Sequence, residues 1–245
     1  MHPALDALLQ AGPQPRPLRT LAWPASLRVL VAAPHPDDFD AIAVTLRHLH
    51  ARGHALHVAV LTGGAGGVDD GFGGATGAAE KAALREAEQR ASCAAFGLPP
   101  QRLQFLRLWE DPSDDEVPEA LQRCIAAQAP ELLFLPHGND SNRTHRRTFE
   151  AVRAIAAQQR LRAWALLNQD AKTAGMRVDF FVDFDAEEAA WKARLLRCHA
   201  SQQARNLRTR GSGFDDRVLQ VNREAAQALP TRQPYAEAFE ALRLG

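Results

Sequence analysis

An excess of charge of either sign is missing from this 245-residue chain: 29 Lys and Arg stand against 29 Asp and Glu, so the formal net charge is zero. That balance leaves no electrostatic footprint for nucleic acid, and none is expected as a partner. Apolar runs of spanning length are also missing, although 46% of the residues are hydrophobic, so no membrane span is expected. Residues 1–12 hold only a short apolar stretch around Leu8 with no basic segment before it. No secretory signal is read there, and the cytoplasm is the expected compartment. Cysteine is scarce, and Cys93, Cys124 and Cys198 are odd in number and widely spaced. This pattern argues against a disulfide framework or a cysteine metal site and fits reduced thiols in the core.

What is present is an alternation. Residues 1–26 carry Pro3, Pro13, Pro15, Pro17 and Pro24 without a sustained period and read as a Pro-rich arm on the surface of the domain. From residue 27 the pattern becomes regular. Residues 27–33 form a near-continuous apolar run, as expected of a strand buried on both faces, and residues 40–52 show helical spacing through Ile42, Leu46 and Leu49. A strand ending in Ala59-Val60-Leu61-Thr62 leads into a Gly-rich stretch, 63–77, followed by a helix over 79–96 that Gly97 and Pro99-Pro100 terminate. Strands are predicted at 102–108, 131–135 and 162–167, with helices at 116–128 and 144–160 between them. Strands alternating with helices imply an α/β, Rossmann-like layered fold with a mainly parallel central sheet flanked by helices. Residues 27–245 read as a single domain.

In open α/β sheets, ligands bind beyond the carboxyl ends of the strands. After the first strand stands Pro34-His35-Pro36-Asp37-Asp38; after the strand at 131–135 stands a segment from Pro136 to His145 that includes His137, Asn142 and Arg143. A His and an Asp three residues apart on one turn can face a common centre, and imidazole nitrogen with carboxylate oxygen suits zinc. The plain alternative is a turn with an Asp as helix N-cap. The coincidence of two such loops at one end of the sheet favours a site. The Gly-rich stretch lacks a Gly-Lys-Ser/Thr element, and Asp69 and Asp70 would repel a phosphate; it reads as the border of a substrate cleft. A small basic run, Arg205 to Arg210, reads as a solvated face.

Ala33-Pro34-His35-Pro36-Asp37-Asp38 resembles the hallmark of the PIG-L/LmbE-like zinc-dependent de-N-acetylase family. Further strings are similar in order: Leu61-Thr62-Gly63-Gly64; Arg85-x-x-Glu88 before Phe96-Gly97-Leu98; Asn142-Arg143-Thr144-His145; Lys192 with His199-Ala200-Ser201-Gln202; and Tyr235-Ala236-Glu237-Ala238-Phe239. Together they span about residues 29–239. The resemblance implies His35, Asp38 and His145 as ligands of Zn2+, Asp37 as general base, Arg85 as a substrate contact and Asp111 as an acceptor for a sugar hydroxyl. It implies a hydrolase that removes an N-acetyl group from an amino sugar, such as an N-acetylglucosamine derivative, or from a sugar conjugate. The partner is then a small-molecule N-acetylated sugar, and assembly into a homo-oligomer stays open. By its residues alone, Arg85 reads equally as an i,i+3 ion pair with Glu88 on a solvated face.

Two departures bear on mechanism. Many relatives have a histidine where Asn142 stands, three residues before the second-loop ligand, and it serves the oxyanion. His199, His137 and Arg143 are the candidate replacements, with His199 favoured; otherwise His199 is a histidine buried on a helix face. The missing histidine also motivates a non-catalytic sugar-binding or regulatory member of the fold as the alternative function. A nucleotide-binding Rossmann enzyme would explain neither His35 nor His145.

Overall fold

The computed structural model describes residues 2–109 and 118–245. In chain order the elements are α1 (Pro3–Gln10), β1 (Arg16–Pro17), β2 (Arg28–Ala33), α2 (Ala43–Ala51), β3 (Ala55–Val60), α3 (Ala78–Phe96), β4 (Leu103–Phe105), α4 (Glu119–Gln128), β5 (Leu132–Pro136), α5 (Arg143–Gln158), β6 (Ala163–Asn168), β7 (Phe180–Phe184), α6 (Ala186–Leu196), α7 (Ala200–Arg210), α8 (Phe214–Gln227) and β8 (Tyr235–Leu244). The strands make one eight-stranded sheet in the order β1-β7-β8-β6-β5-β2-β3-β4. β8 runs antiparallel to both of its neighbours and the other pairings are parallel.

β2 shows why the sheet is central. Along Val29-Leu30-Val31-Ala32, Val29 and Val31 enter one hydrophobic cluster with Val58 and Phe134, while Leu30 and Ala32 enter a second with Ala59, Leu133 and Val152. Side chains alternate between faces in a strand, so a continuous apolar run is what two helix-covered faces demand. The chain winds from β2 out to β3 and β4, then returns to place β5 on the other side of β2. Loops 34–42 and 137–142 therefore leave adjacent strands at the point where the winding reverses, and a crevice opens there.

Two regions differ from the sequence expectation. Residues 1–26 do more than lie on the surface: Pro3 occupies the first turn of α1, where its missing N–H is harmless. Leu5, Leu9 and Leu18 are fully buried in the main core cluster. Arg16 Nη2 donates to the Leu8 and Leu9 carbonyls at the end of α1, at 2.8 and 3.3 Å, and β1 extends the sheet beside β7. Beyond residue 167, where no element is predicted, the chain supplies β7, α6, α7, α8 and β8.

This half is bound to the amino-terminal half through a buried ion pair. Lys192 Nζ, on α6, donates to Glu237 Oε1 at 2.7 Å, to Asn222 Oδ1 at 2.8 Å and to the Ala41 carbonyl at 2.5 Å. Glu237, on β8, accepts from the Val44 and Thr45 amides at the start of α2. Burial pushes the Lys192 ammonium down from its usual range, and Glu237 opposes that shift.

Leu5→Ala is expected to lower the unfolding free energy by about 2–5 kcal/mol, the usual penalty for a large-to-small change in a closed core. A denaturant midpoint unchanged from the parent would return residues 1–26 to the status of a surface arm.

Candidate metal centre

His35 and Asp38 come from the loop after β2, and His145 from the first turn of α5. His35 Nδ1 lies 3.2 Å from Asp38 Oδ2, and His145 Nε2 lies 3.5 Å from Asp38 Oδ1. One ligand atom from each of the three residues falls within 4.8 Å of the others. Two imidazoles and one carboxylate gathered this closely are a donor set that suits a divalent ion such as zinc. His145 is aimed from behind: Asp140 Oδ2 accepts from its Nδ1 at 3.0 Å, leaving Nε2 for the centre. Burial alone would lower the His145 imidazole, but Asp38 and Asp140 hold it protonated and push it up to about 9. Burial would raise Asp38, yet His145 and the hydrogen bonds from His35 keep it well below the usual carboxylate range.

Asp37 lies between the two ligands with φ 125°, a left-handed value for a residue with a side chain. Its amide donates to Gln89 Oε1 at 2.9 Å, and its Oδ2 pairs with Arg85 Nη2 at 2.7 Å. Arg85 also donates to the Pro36 carbonyl and, at 3.2 Å, to the Gly64 carbonyl. A Cβ on Gly64 or Gly67 would come within 2.8 or 2.7 Å of the Arg85 guanidinium, so both glycines are required for the arginine to pass. Burial raises the Asp37 carboxyl above its ordinary range although Arg85 opposes it.

Behind this turn is a closed polar cluster. Gln89 Nε2 donates to Asp40 Oδ2 at 3.3 Å, His199 Nε2 donates to the same oxygen at 2.7 Å, and Ser92 Oγ donates to Asp40 Oδ1. All four residues are fully buried. Asp40 offers only acceptors to these donors, so it sets the orientation of each.

The cleft in front of the centre has a volume of about 900 Å³ and is bordered by His35, Asp37, Asp38, His145, Asn142 and the glycines of residues 63–67. Asn142 is also the N-cap of α5, its Oδ1 accepting from the Thr144 amide at 2.9 Å. Arg85 is buried against Asp37 and is not paired with Glu88 on a solvated face. Glu88 accepts from the amide and hydroxyl of Ser201, at 2.7 Å each. His199 and His137, expected at the site, do not border this cleft. His199 is held inside by Asp40, and His137 bonds Glu240 and the Asn139 amide. Asp111 lies outside the described residues. Gln89, Ser92 and Asp140 were not singled out by sequence reasoning. The signal for the first two is their spacing from Arg85: the three occupy one face of α3 as i, i+4, i+7.

The family model for GlcNAc-PI de-N-acetylase (PIG-L) matches residues 30–156, just over half of the chain and inclusive of every metal-centre residue described above. The chain belongs to the PIG-L family. Solved structures share the PIG-L fold. The N,N'-diacetylchitobiose deacetylase of Pyrococcus horikoshii superposes with a TM-score of 0.70 at 21% identity, over 87% of this chain and 83% of that one. The 4-carboxy-2-hydroxymuconate hydratase of Pseudomonas putida gives 0.67 at 17%, over 89% and 96%. The zinc-inhibited form of a teicoplanin deacetylase gives 0.66 at 14%, over 88% and 98%. No curated protein sequence matches the chain. No helix among the described residues is long and apolar enough to cross a membrane.

Asp38→Ala and His145→Ala are each expected to abolish tight binding of one divalent ion per chain, and Asp140→Ala to weaken it about 10- to 100-fold through loss of the imidazole's orientation. Elemental analysis after dialysis checks this, and full occupancy in both ligand variants would remove the centre from His35, Asp38 and His145.

Proposed function

We propose that this PIG-L family member is a zinc-dependent hydrolase that removes an N-acetyl group from an amino sugar or a sugar conjugate. The observation that carries the reading is Asp37: a carboxylate held by Arg85 beside a three-residue metal set, on the wall of a cleft large enough for a sugar. His35, Asp38 and His145 would hold the zinc, which supplies Lewis acidity to the amide carbonyl and to water. Asp37 Oδ2 is engaged by Arg85, leaving Oδ1 to take the proton of the attacking water. The raised carboxyl suits the second half of the cycle, in which Asp37 returns that proton to the departing amine as the C–N bond breaks, giving acetate and the free amino sugar. Arg85 opposes the rise that burial imposes on the Asp37 carboxyl and fixes its direction. Asn142 takes the place of His199 as our assignment for the oxyanion. It lines the cleft, and since its Oδ1 caps α5, its Nδ2 is the group left to donate. The three cysteines are free thiols, which supports the cytoplasm as the compartment.

Asp37→Asn is expected to retain its metal and lose about 10²- to 10⁴-fold in amine release from a panel of N-acetylated sugars. A near-parental rate removes Asp37 as the base. If the metal-loaded parent releases amine from no member of the panel but still binds some of them, the non-catalytic sugar-binding reading replaces this one.

Asn142→Ala is expected to lower kcat roughly a hundred-fold or more with little change in KM, because the donor acts only as charge develops on oxygen. Parental kcat in Asn142→Ala, alongside a collapse in a metal-loaded His199→Ala or His137→Ala variant, would overturn the assignment.

A further inference from the structure

The peptide bond between Pro36 and Asp37 is held at both of its polar ends by one face of α3. Its carbonyl accepts from Arg85 Nη2, and its N–H donates to Gln89 Oε1 at 2.9 Å. This peptide is where the turn that carries the base can relax. Rotating it through half a revolution exchanges the carbonyl with the N–H and carries the φ of Asp37 from 125° back into the negative range that residues with side chains ordinarily adopt. The Asp37 carboxylate would then leave the direction that Arg85 gives it.

After such a flip the Pro36 oxygen faces Gln89 Oε1, two acceptors with no proton between them. An unconstrained amide would escape by turning over and presenting its Nε2, but this one is fixed. Gln89 Nε2 donates to Asp40 Oδ2 at 3.3 Å and to Cys93 Sγ at 3.4 Å. Asp40 offers only acceptors, so the end of the amide that meets it must be the nitrogen. Asp40 is fixed in turn by His199 Nε2, at 2.7 Å on the same oxygen, and by Ser92 Oγ on the other. His199 Nδ1 makes no hydrogen bond, so the polar contact of that ring is spent on Asp40. Gln89, Asp40, Ser92 and His199 are fully buried and none borders the cleft. Groups that meet neither water nor substrate act on a reaction through the backbone they hold.

We propose that Gln89 is a positioning residue for Asp37: oriented by Asp40, it locks the Pro36–Asp37 peptide against flipping and keeps the carboxylate of the base beside the metal set. This rests on the N-deacetylase reading, in which Asp37 is the base. His199 then serves the reaction at two removes, through Asp40 and Gln89. A base displaced by an ångström is a poor one even when metal and substrate are in place, so the lock bears on turnover and not on binding.

The test follows the Asp37 amide by hydrogen exchange in the NMR spectrum of the zinc-loaded protein, together with kcat and KM for amine release from the N-acetylated sugar that the parent turns over fastest. Gln89→Met keeps the length of the side chain without its amide. Its exchange at Asp37 is expected to accelerate about tenfold or more while the amides of β2 stay protected, and its kcat to fall about ten- to a hundredfold with KM and metal content unchanged. Gln89→Asn, too short to span Asp37 and Asp40, carries the same expectation should the methionine variant not fold. Cys93→Ala loosens the same face of α3 and leaves the other two bonds of Gln89 in place; it is expected to lower the melting temperature with both readouts parental. Parental exchange at Asp37 in the Gln89 variants overturns the proposal. So does fast exchange with parental kcat, and so does loss of the metal, since Gln89 then supports the metal loop and not the base. A Cys93→Ala variant that loses as much as Gln89→Met overturns it too, because the effect is then loosened packing. A parent that releases amine from no sugar, with the Asp37 amide freed in Gln89→Met, removes the deacetylase reading and leaves Gln89 as the lock of the turn.

Discussion

Two metal ligands three residues apart on one loop can face the same point only if the backbone between them turns sharply, and here the turn falls at Asp37 with φ 125°. A non-glycine residue held there costs on the order of 1–3 kcal/mol, so it persists only where the surroundings over-determine it. The surroundings are one face of α3. Arg85 binds the carbonyl before Asp37 and its carboxylate, Gln89 binds its amide, and Ser92 holds the Asp40 that steadies Gln89. A helix in this position would ordinarily offer an apolar stripe to the sheet. This one gives part of that stripe to hydrogen-bonding groups, and the result is a base whose position is set by the interior of the protein.

The supporting contacts reach far along the chain. His199 bonds Asp40, Ser201 bonds Glu88, and the Lys192–Glu237 pair ties α6 and β8 to the start of α2. Strings that are separate in sequence are thus two sides of single interactions: Arg85-x-x-Glu88 meets His199-Ala200-Ser201-Gln202, and Lys192 meets Tyr235-Ala236-Glu237. Each joins a loop of the metal centre, or the helix behind it, to an element that contributes no ligand. Removing one partner of such a buried charged pair leaves the other desolvated and alone, which is why these contacts hold the halves of the chain in one relation.

Much of this was legible in the sequence up to residue 167, for a physical reason: strands covered on both faces must be continuously apolar, and helices between them must repeat at 3.6 residues. The same regularity exposed His35, Asp38 and His145, because loops at the carboxyl ends of such strands are where sites form. Legibility ended where tertiary context overrides local preference. The stretch from Tyr235 to Leu244 is rich in Ala, Glu and Leu, all good helix formers, and is a strand because β6 and β7 pair with it on either side. Residues 1–26 looked irregular because their prolines hide a short helix that begins at Pro3. The bond between His199 and Asp40 was not legible because the two lie 159 positions apart. A histidine buried against a carboxylate and one facing a substrate look alike in a string of letters.

β8 follows every other element in the chain and yet occupies the middle of the sheet, between β6 and β7. While the protein is being synthesised, β1 and β7 have no sheet to join until residues 235–244 emerge. Over the same interval β6 presents a bare edge, and Lys192 waits without its carboxylate. The amino-terminal half can assemble its parallel strands first, with α3 already at the turn that carries the base, while the contacts of Glu237 with the start of α2 come last. Between the completion of β6 and the arrival of β8 the nascent polypeptide therefore carries an open sheet edge of the kind that chaperones shield and that neighbouring chains can invade.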